Sequence, residues 1–282
     1  MTDPLIERLV PALSAVPGVD AVVLGGSRAR GDATPESDYD FGLYFRADAP
    51  FDVRDLRAAV APFLDAPEDA TITEIGEWGR WIVGGGWLKI GGQAVDLLFR
   101  DADGVAAVID DAKRGIISVD YQPGHPHCFV SSIWLAEVHH CLPLADRNAT
   151  VERMKQSLAP YPPALGRALI ERFSWEIGFA AGTAAKAVPR NDRSYIAGSI
   201  FRALACAAQV IAAINGVYVM NEKGALRLAG TLPVTPADLP ARVDGIWERF
   251  AAHDDRAALD LLAGIALDVQ RLANAWIGAH AI

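Results

Sequence analysis

The chain has 282 residues, with 26 Lys and Arg against 35 Asp and Glu, and its formal net charge is -9. Apolar residues make up 51% of the chain, which excludes an intrinsically disordered protein because there is enough apolar surface to offset chain entropy. The acidic excess argues against a protein that coats nucleic acid. The length allows one large domain or two of ordinary size.

The sequence predicts a cytoplasmic protein that does not enter a membrane. No uninterrupted apolar run approaches the ~20 residues of a membrane helix. The N-terminus has acidic residues early and lacks the basic-then-apolar pattern of a signal peptide. Cys128, Cys141 and Cys206 are too scattered for a disulfide framework or a C-x-x-C zinc site, so we expect reduced thiols.

The first half of the chain has the pattern of short strands, glycine turns and helices. A helix is predicted over residues 4–16, ending at Pro17-Gly18. Strands are predicted over 19–24 and 39–45, and the first is apolar enough to be buried on both faces. Helices are also predicted at 52–64 and 102–114. Between them, residues 79–99 are predicted to hold three strands. Gly84-Gly85-Gly86 separates the first strand from the second, and a Gly91-Gly92 turn separates the second from the third.

The second half is rich in alanine and has helical periodicity. Helices are predicted at 164–188, 194–215, 222–228, 236–252 and 255–279. The pattern breaks where Pro143, Asp146 and Asn148 follow one another closely. We therefore predict two domains, residues 1–146 and 147–282.

The segment that carries chemistry begins where the first strand ends. Gly25, Gly26 and Ser27 follow an apolar strand and precede a short predicted helix. Glycine lets backbone N–H groups approach an anion closely, and a helix N-terminus favours negative charge. Ser27 adds a hydroxyl donor. The turn is therefore a candidate phosphate site.

Carboxylates accompany this turn. Asp38 and Asp40 stand two residues apart at a strand, so their side chains point the same way. Asp96 lies in the strand QAVDLLF, which is otherwise almost wholly apolar, and a lone carboxylate there is costly unless it is paired or bound to metal. If the two strands are neighbours, three carboxylates meet beside the phosphate turn. This is the arrangement that two-metal phosphoryl or nucleotidyl transfer requires, with Mg²⁺ as the cation that oxygen ligands suit.

The stretch GSRARGDATPESDYD and the later Asp96 resemble the nucleotidyltransferase superfamily, whose fold is that of DNA polymerase beta. The likeness is closest to bacterial nucleotidyltransferase-domain proteins and to antibiotic nucleotidyltransferases of the aminoglycoside and lincosamide types. The hairpin WLKIGGQAVDLLFRD and the segment INGVYVMNEKGA extend the resemblance. It implies an α+β fold, with an N-terminal mixed β-sheet and flanking helices followed by an all-α helical bundle, and an active site between them.

The resemblance also implies residue roles. Gly26 and Ser27 would hold the triphosphate of ATP, and Lys223 matches a lysine that faces the phosphates. Asp38, Asp40 and Asp96 would bind two Mg²⁺ ions, with Asp96 helping to deprotonate the acceptor. Lys223 could equally be a surface lysine in a turn.

Two arginines leave alternatives open. Arg28 and Arg30 either contact the nucleotide or pair with Asp32, Glu36 or Asp38 to shape the loop, and loop shaping is favoured for Arg30. Ser37 is predicted to close a turn through its hydroxyl.

Rival motifs fail on detail. Gly26–Gly31 has the spacing of a P-loop, but Asp32 stands where lysine is required. The hydrolase elbow would need glycine at Ala29, and no G-x-G-x-x-G follows a strand. The four histidines His125, His127, His139 and His140 are interpreted as structural or loop residues. Trp78, Trp81 and Trp87 cluster near the hairpin, where they could line a pocket.

The function predicted is transfer of AMP from ATP to a hydroxyl of a small molecule, with release of pyrophosphate. An antibiotic acceptor would make the protein a resistance enzyme. The alternatives are a nucleotide-binding regulatory or antitoxin-like module and a transferase that AMPylates a partner protein. The acidic balance disfavours a nucleic-acid acceptor. A homodimer stays open, because no apolar stripe in the sequence compels one.

Overall fold

The computed structural model describes residues 3–280, which form two compact units. The first unit contains the chain up to Asp110 together with Trp134–Pro160. The second unit contains Asp111–Ile133 and the chain from Tyr161 onward. The division into domains at residues 146 and 147 stays a prediction.

Strands and helices are numbered in chain order. The strands are β1 (Val19–Leu24), β2 (Tyr39–Phe45), β3 (Thr71–Ile72), β4 (Gly85–Ile90), β5 (Gln93–Asp101), β6 (Val119–Asp120), β7 (Phe129–Val130) and β8 (Leu142–Asp146). The helices are α1 (Pro4–Ala15), α2 (Gly26–Arg30), α3 (Val53–Val60), α4 (Ala102–Lys113), α5 (Ser132–His140), α6 (Thr150–Ser157), α7 (Pro163–Ala187), α8 (Arg193–Ile214), α9 (Ala225–Thr231), α10 (Leu239–Ala251) and α11 (Asp255–Ala279). Short 3₁₀ turns lie at 61–63, 67–69 and 188–190.

The first unit is built on a six-stranded sheet in the order β3-β4-β5-β2-β1-β8. The central pair, β2 and β5, is parallel, and the other neighbouring pairs are antiparallel. The predicted mixed sheet with flanking helices is confirmed. The remaining strands, β6 and β7, pair with each other in the second unit.

One face of this sheet carries the core of the first unit. Phe41 and Leu43 alternate along β2 and are fully buried, together with Leu13 of α1 and Leu56 of α3. Burying each such side chain contributes roughly 1.5–3 kcal/mol. Because neighbours along a strand point to opposite faces, Asp40, Gly42 and Tyr44 belong to the other face. The alternation of β2 therefore separates the core from the candidate site.

The glycine-rich hairpin differs from its prediction. Gly85 and Gly86, predicted to interrupt a strand, lie in β4, whereas residues 79–84, predicted to include a strand, form a bend with irregular chain on either side. A Cβ on Gly85 would overlap the carbonyl oxygen of Leu97 and press on the ring of Trp78. Glycine is present here because the neighbouring strand approaches closely, not because the chain turns.

The region between residues 116 and 163 holds elements that the sequence did not predict. Residues 142–146, interpreted as part of a domain boundary, form the edge strand β8 against β1. An edge strand tolerates Pro143, which has no N–H to donate. Helix α6 follows, and the side chain of Asp146 accepts from the N–H of Thr150 at its start (2.7 Å).

From residue 147 to 280 the described chain forms helices and turns without strands, as predicted. The long helices α7 and α8 pack against each other, with α11 against both. Their buried faces are rich in alanine, for example Ala180 and Ala184 of α7 and Ala203 and Ala207 of α8.

Among the described residues, α8 is the helix long and apolar enough to cross a membrane by length and composition. Its most apolar window has a mean hydropathy of 1.7 and is 72% buried inside the protein. A buried core helix of a water-soluble protein passes the same test, so this is weak evidence for a membrane span.

Candidate active site

The glycine turn after β1 is held against the start of β2. The N–H of Gly25 donates to the carbonyl oxygen of Asp40 (2.7 Å), so the turn continues the sheet by one residue. Gly26 follows with a φ of +61°, a left-handed conformation that glycine adopts without steric cost. It opens the five-residue helix α2. Gly25, Gly26 and Ser27 are all half-buried, which leaves them accessible.

The side chain of Asp40 also requires glycine at position 26. A Cβ built on Gly26 would overlap the Oδ2 atom of Asp40 and lie 2.7 Å from its Cγ. The carboxylate of Asp40 therefore rests directly on the backbone of the turn. Two candidate residues that are 14 positions apart in sequence meet because β1 and β2 are antiparallel neighbours.

The parallel pairing of β2 and β5 places Asp40 and Asp96 directly opposite each other. Residues that face each other across neighbouring strands project from the same face of the sheet. Both carboxylates are half-buried. The proposed role of Asp96 depended on these two strands being neighbours, and they are neighbours in the sheet.

The same row of the sheet continues to Trp87, which is the antiparallel partner of Asp96 on β4. Trp87 is 55% exposed, and its ring contacts that of Trp78 with centroids 4.7 Å apart. An exposed indole thus flanks the carboxylate pair on the side away from Gly25. Three tryptophans cluster near this hairpin in the sequence. Of these, Trp87 is the one paired with Asp96, whereas Trp81 is buried against Trp134.

Asp38 precedes β2 and its side chain is exposed. Its backbone is fixed by Arg28, whose guanidinium donates to the carbonyl oxygens of Ser37 (2.6 Å) and Asp38 (3.2 Å). The same guanidinium lies over the ring of Tyr39, 3.7 Å from its centroid, in a cation–π contact. Arg28 therefore shapes the loop that carries Asp38, and its predicted contact with a nucleotide stays a prediction.

Tyr39 anchors this loop to the N-terminal helix. Its hydroxyl donates to Oδ2 of Asp3 (2.6 Å), and the other oxygen of Asp3 caps α1. Partial burial and the neighbouring Asp3 raise the pKa of Tyr39 above its ordinary value. Asp3 immediately before Pro4 has the sequence pattern of a helix N-cap, but its contact with Tyr39 joins residues 36 positions apart and has no local signal.

Two smaller predictions about the loop are confirmed. Arg30 pairs with Asp32 (3.3 Å), which is the loop-shaping role favoured for it. The hydroxyl of Ser37 accepts from the N–H of Thr34 (2.9 Å), and the N–H of Ser37 donates back to the carbonyl of Thr34 (3.0 Å). These bonds close the turn that leads into Asp38.

In the described part of the chain, no group of three or more His, Cys, Asp or Glu side chains is arranged to hold a metal ion. The predicted cluster of Asp38, Asp40 and Asp96 therefore stays a prediction as a three-ligand site. The opposed pair Asp40 and Asp96 does fit a divalent cation such as Mg²⁺, which prefers carboxylate oxygens and keeps several waters. The missing Cβ of Gly26 lets the carboxylate of Asp40 lie directly against the backbone of the glycine turn.

Lys223 lies in the second unit, and its side chain is exposed. Its N–H donates to Oδ1 of Asn221 (2.9 Å), so it sits in a closed turn. The preceding Glu222 accepts from the N–H of His127 (2.9 Å) and pairs with His125 (3.6 Å). Although burial opposes it, these partners lower the pKa of Glu222 to about 2. The turn is firmly held, and the role of Lys223 at a phosphate stays a prediction.

Residues 6–118 match the family model of the nucleotidyltransferase domain. This segment contains Gly26, Asp38, Asp40 and Asp96, the residues on which the resemblance was based. The predicted membership of the nucleotidyltransferase superfamily is confirmed: the chain carries a nucleotidyltransferase domain. The activity of this class is nucleotidyl transfer, which implies a nucleoside triphosphate substrate and, in general, a divalent metal.

A nucleotidyltransferase-like protein from Exiguobacterium sibiricum 255-15, known from its crystal structure, is similar over 97% of this chain and 76% of its own. The identity is 10% and the TM-score 0.44. Comparison with curated proteins gives no significant match.

Proposed function

We propose that this protein is a Mg²⁺-dependent enzyme that transfers AMP from ATP to a hydroxyl group of a small molecule. The observation that carries the proposal is the row formed by Gly25, Asp40 and Asp96, in which two opposed carboxylates adjoin a glycine turn. A turn that can receive phosphates beside paired carboxylates is what nucleotidyl transfer needs.

Each part of this row has a proposed task. The N–H of Gly26 and the hydroxyl of Ser27 bind the triphosphate. Asp40 and Asp96 hold the divalent cations, and Asp38 joins them from the loop that Arg28 supports. When bound, the cations supply charge neutralisation on the transferring phosphoryl group. Lys223 is proposed to bind the phosphates as well.

The reaction exchanges one phosphorus–oxygen bond for another. The acceptor oxygen forms a bond to the α-phosphorus of ATP, and the bond to the β,γ-pyrophosphate breaks. The acceptor proton leaves with the help of Asp96, and pyrophosphate is released. Little other acid–base chemistry is required, because the leaving group is already a stable anion once its charge is offset.

The exposed ring of Trp87 supports a small ring-bearing acceptor. It lies directly beside Asp96 in the sheet, and more than half of its surface is exposed. An indole face binds sugar rings through apolar contact and cations through its π-electrons. Aminoglycoside- and lincosamide-like antibiotics combine a ring with a cationic group, so we propose them as the first acceptors to test.

The test is pyrophosphate release from ATP in the presence of Mg²⁺ and a panel of such antibiotics and small alcohols, with the adenylylated product identified by mass. For the variant Asp40→Asn we expect turnover to fall by roughly 10²–10³-fold, because a cation ligand is lost. Asp48→Asn is the matched control, since Asp48 is an exposed carboxylate in the loop after β2.

Full activity of Asp40→Asn would contradict the metal role. ATP binding without pyrophosphate release across the whole panel would favour the regulatory module, and labelling of a protein would favour the AMPylating transferase.

A further inference from the structure

Helix α7 presents an aromatic face to solvent. Trp175 is 55% exposed and Phe179 is 60% exposed, although both are large apolar side chains. Their ring centroids lie 5.6 Å apart, so they form one patch. They stand four residues apart and therefore on the same side of the helix. This aromatic face has no clear signal in the sequence, because the helix is apolar on several sides.

Glycine residues share this face. Gly178 and Gly182 are exposed and lie within one turn of the two rings. A Cβ built on either glycine would meet no other atom within 4 Å among the described residues. Each glycine in a helix interior costs about 1 kcal/mol relative to alanine. Nothing in the described chain fills the space that these two residues leave.

Charged residues of opposite sign lie at the two ends of this aromatic face of α7. Glu171 lies one turn before Trp175, Lys186 lies one turn after Gly182, and both are exposed. Glu171 also lies within 3.6 Å of Arg167 on the preceding turn, and the exposed part of its side chain is what a second copy would reach. The distance between them along the helix is roughly 22 Å, from a rise of 1.5 Å per residue. The face thus begins with an anion, ends with a cation and is apolar between them.

The order of these residues is self-complementary. If two α7 helices cross antiparallel about a two-fold axis between Gly178 and Phe179, Phe179 of each copy faces Gly178 of the other. Trp175 then faces Gly182, so both rings meet glycines. Glu171 faces Lys186 at each end. Every residue of the face has a complementary partner in an identical copy, which is the property of an isologous interface.

We propose that two copies of this protein form a dimer by antiparallel pairing of their α7 helices through Glu171, Trp175, Gly178, Phe179, Gly182 and Lys186. The opposed charges fix the antiparallel direction, because parallel pairing would place like charges together. An interface centred on one helix from each copy is small, so we expect a dissociation constant in the micromolar range.

Charge reversal tests the pairing directly. In Glu171→Lys and in Lys186→Glu each copy carries like charges at both ends, so sedimentation velocity of the full chain should show the dimer weakened about tenfold. An equimolar mixture of the two variants restores opposite charges at both ends. We expect the mixture to regain the dimer, with both variants in each complex.

A glycine variant separates pairing from folding. Gly182→Leu fills the space that Trp175 of the second copy would occupy, while leucine favours the helix over glycine. We expect the dimer to be lost and the melting temperature of the monomer to be kept or raised. Gly278→Leu is the matched control, because Gly278 is an exposed glycine with equally open surroundings on α11.

Three outcomes would overturn the proposal. They are a monomeric protein throughout the micromolar range, a dimer that survives Gly182→Leu, and a mixture of the charge variants that stays monomeric. A monomer would leave the aromatic face to a different partner.

Discussion

At the residue scale, the candidate site depends on the contact between Gly26 and the carboxylate of Asp40. Gly26 combines a left-handed backbone with a neighbour that leaves no room for a Cβ. A side chain at position 26 would strain the backbone, because its φ is positive. It would also displace the carboxylate of Asp40, which is a proposed metal ligand. Gly31 offers a comparison, because its φ is +79° and a Cβ added there would meet no described atom within 4 Å.

We expect Gly26→Ala to lose most activity, because the new methyl group displaces Asp40 and blocks the turn. Gly31→Ala should cost about 1 kcal/mol of stability from backbone strain alone and keep its activity. Pyrophosphate release and ATP binding by calorimetry would be measured for both variants. Equal activity losses in the two would mean that loop conformation, and not the contact with Asp40, controls the site.

At the element scale, a buried ion pair joins strand β5 to helix α5. It lies on the face of the sheet opposite to the core residues Phe41 and Leu43. The guanidinium of Arg100 on β5 donates to both oxygens of Glu137 on α5, through Nε (2.7 Å) and Nη2 (2.8 Å). The Arg100 side chain is 3% exposed, and Glu137 is 25% exposed. Arg100 stands four residues after Asp96 on the same strand and therefore on the same face. The pair thus holds β5 in the position that aligns Asp96 with Asp40.

We expect Glu137→Gln to destabilise the fold by about 3 kcal/mol, because it leaves the charge of Arg100 buried without its counter-ion. Urea unfolding at neutral pH would measure this. Glu74→Gln is the control: it removes the exposed pair between Arg57 and Glu74 (2.9 Å) and should cost less than about 1 kcal/mol. Comparable losses in the two variants would contradict the role of burial.

At the scale of the whole molecule, a buried polar cluster in the second unit makes stability depend on pH. The cluster consists of His127, Arg202, Glu176 and Glu222. Arg202 donates to Glu176 (2.6 Å) and, through Nη1, to the carbonyl oxygen of His127 (2.6 Å), with Nδ1 of His127 at 2.9 Å. Burial, followed by the charge of Arg202, lowers the pKa of His127 to about 4. His127 is therefore neutral in the folded protein at pH 7.

The sign of the pH effect follows from this lowered pKa. Between pH 6.5 and about pH 4 the unfolded chain protonates His127 and the folded protein does not. Stability is thus lost as the pH falls through this window, by about 2 kcal/mol between pH 7 and pH 5. We expect His127→Gln to be less stable at pH 7 but to lose less on acidification, as measured by urea unfolding at both pH values.

The control for this measurement is His253→Asn. His253 is exposed, and asparagine tolerates the left-handed backbone conformation at this position. This variant should keep the pH dependence of the wild type. An unchanged pH dependence in His127→Gln would show that other groups cause the acid sensitivity.

Local patterns in the sequence determined much of the first unit and the long helices. The strands at 19–24 and 39–45 match their predictions because an apolar run bounded by glycine and polar residues needs no distant information. The motif around Gly26, Asp38 and Asp40 identified the superfamily for the same reason. Helices α7, α8 and α11 lie within a residue or two of the predicted ranges, since their periodicity is sustained over many turns.

Tertiary structure alone decided which residues meet. The register that sets Asp96 opposite Asp40 pairs residues 56 positions apart in sequence, and periodicity does not encode such a pairing. It also decided that Gly85 lies inside a strand and that Trp175 and Phe179 stay exposed while neighbouring apolar residues are buried. Sequence sets the local propensity of each segment, but burial and register arise only when distant segments pack and exclude water from one side of each.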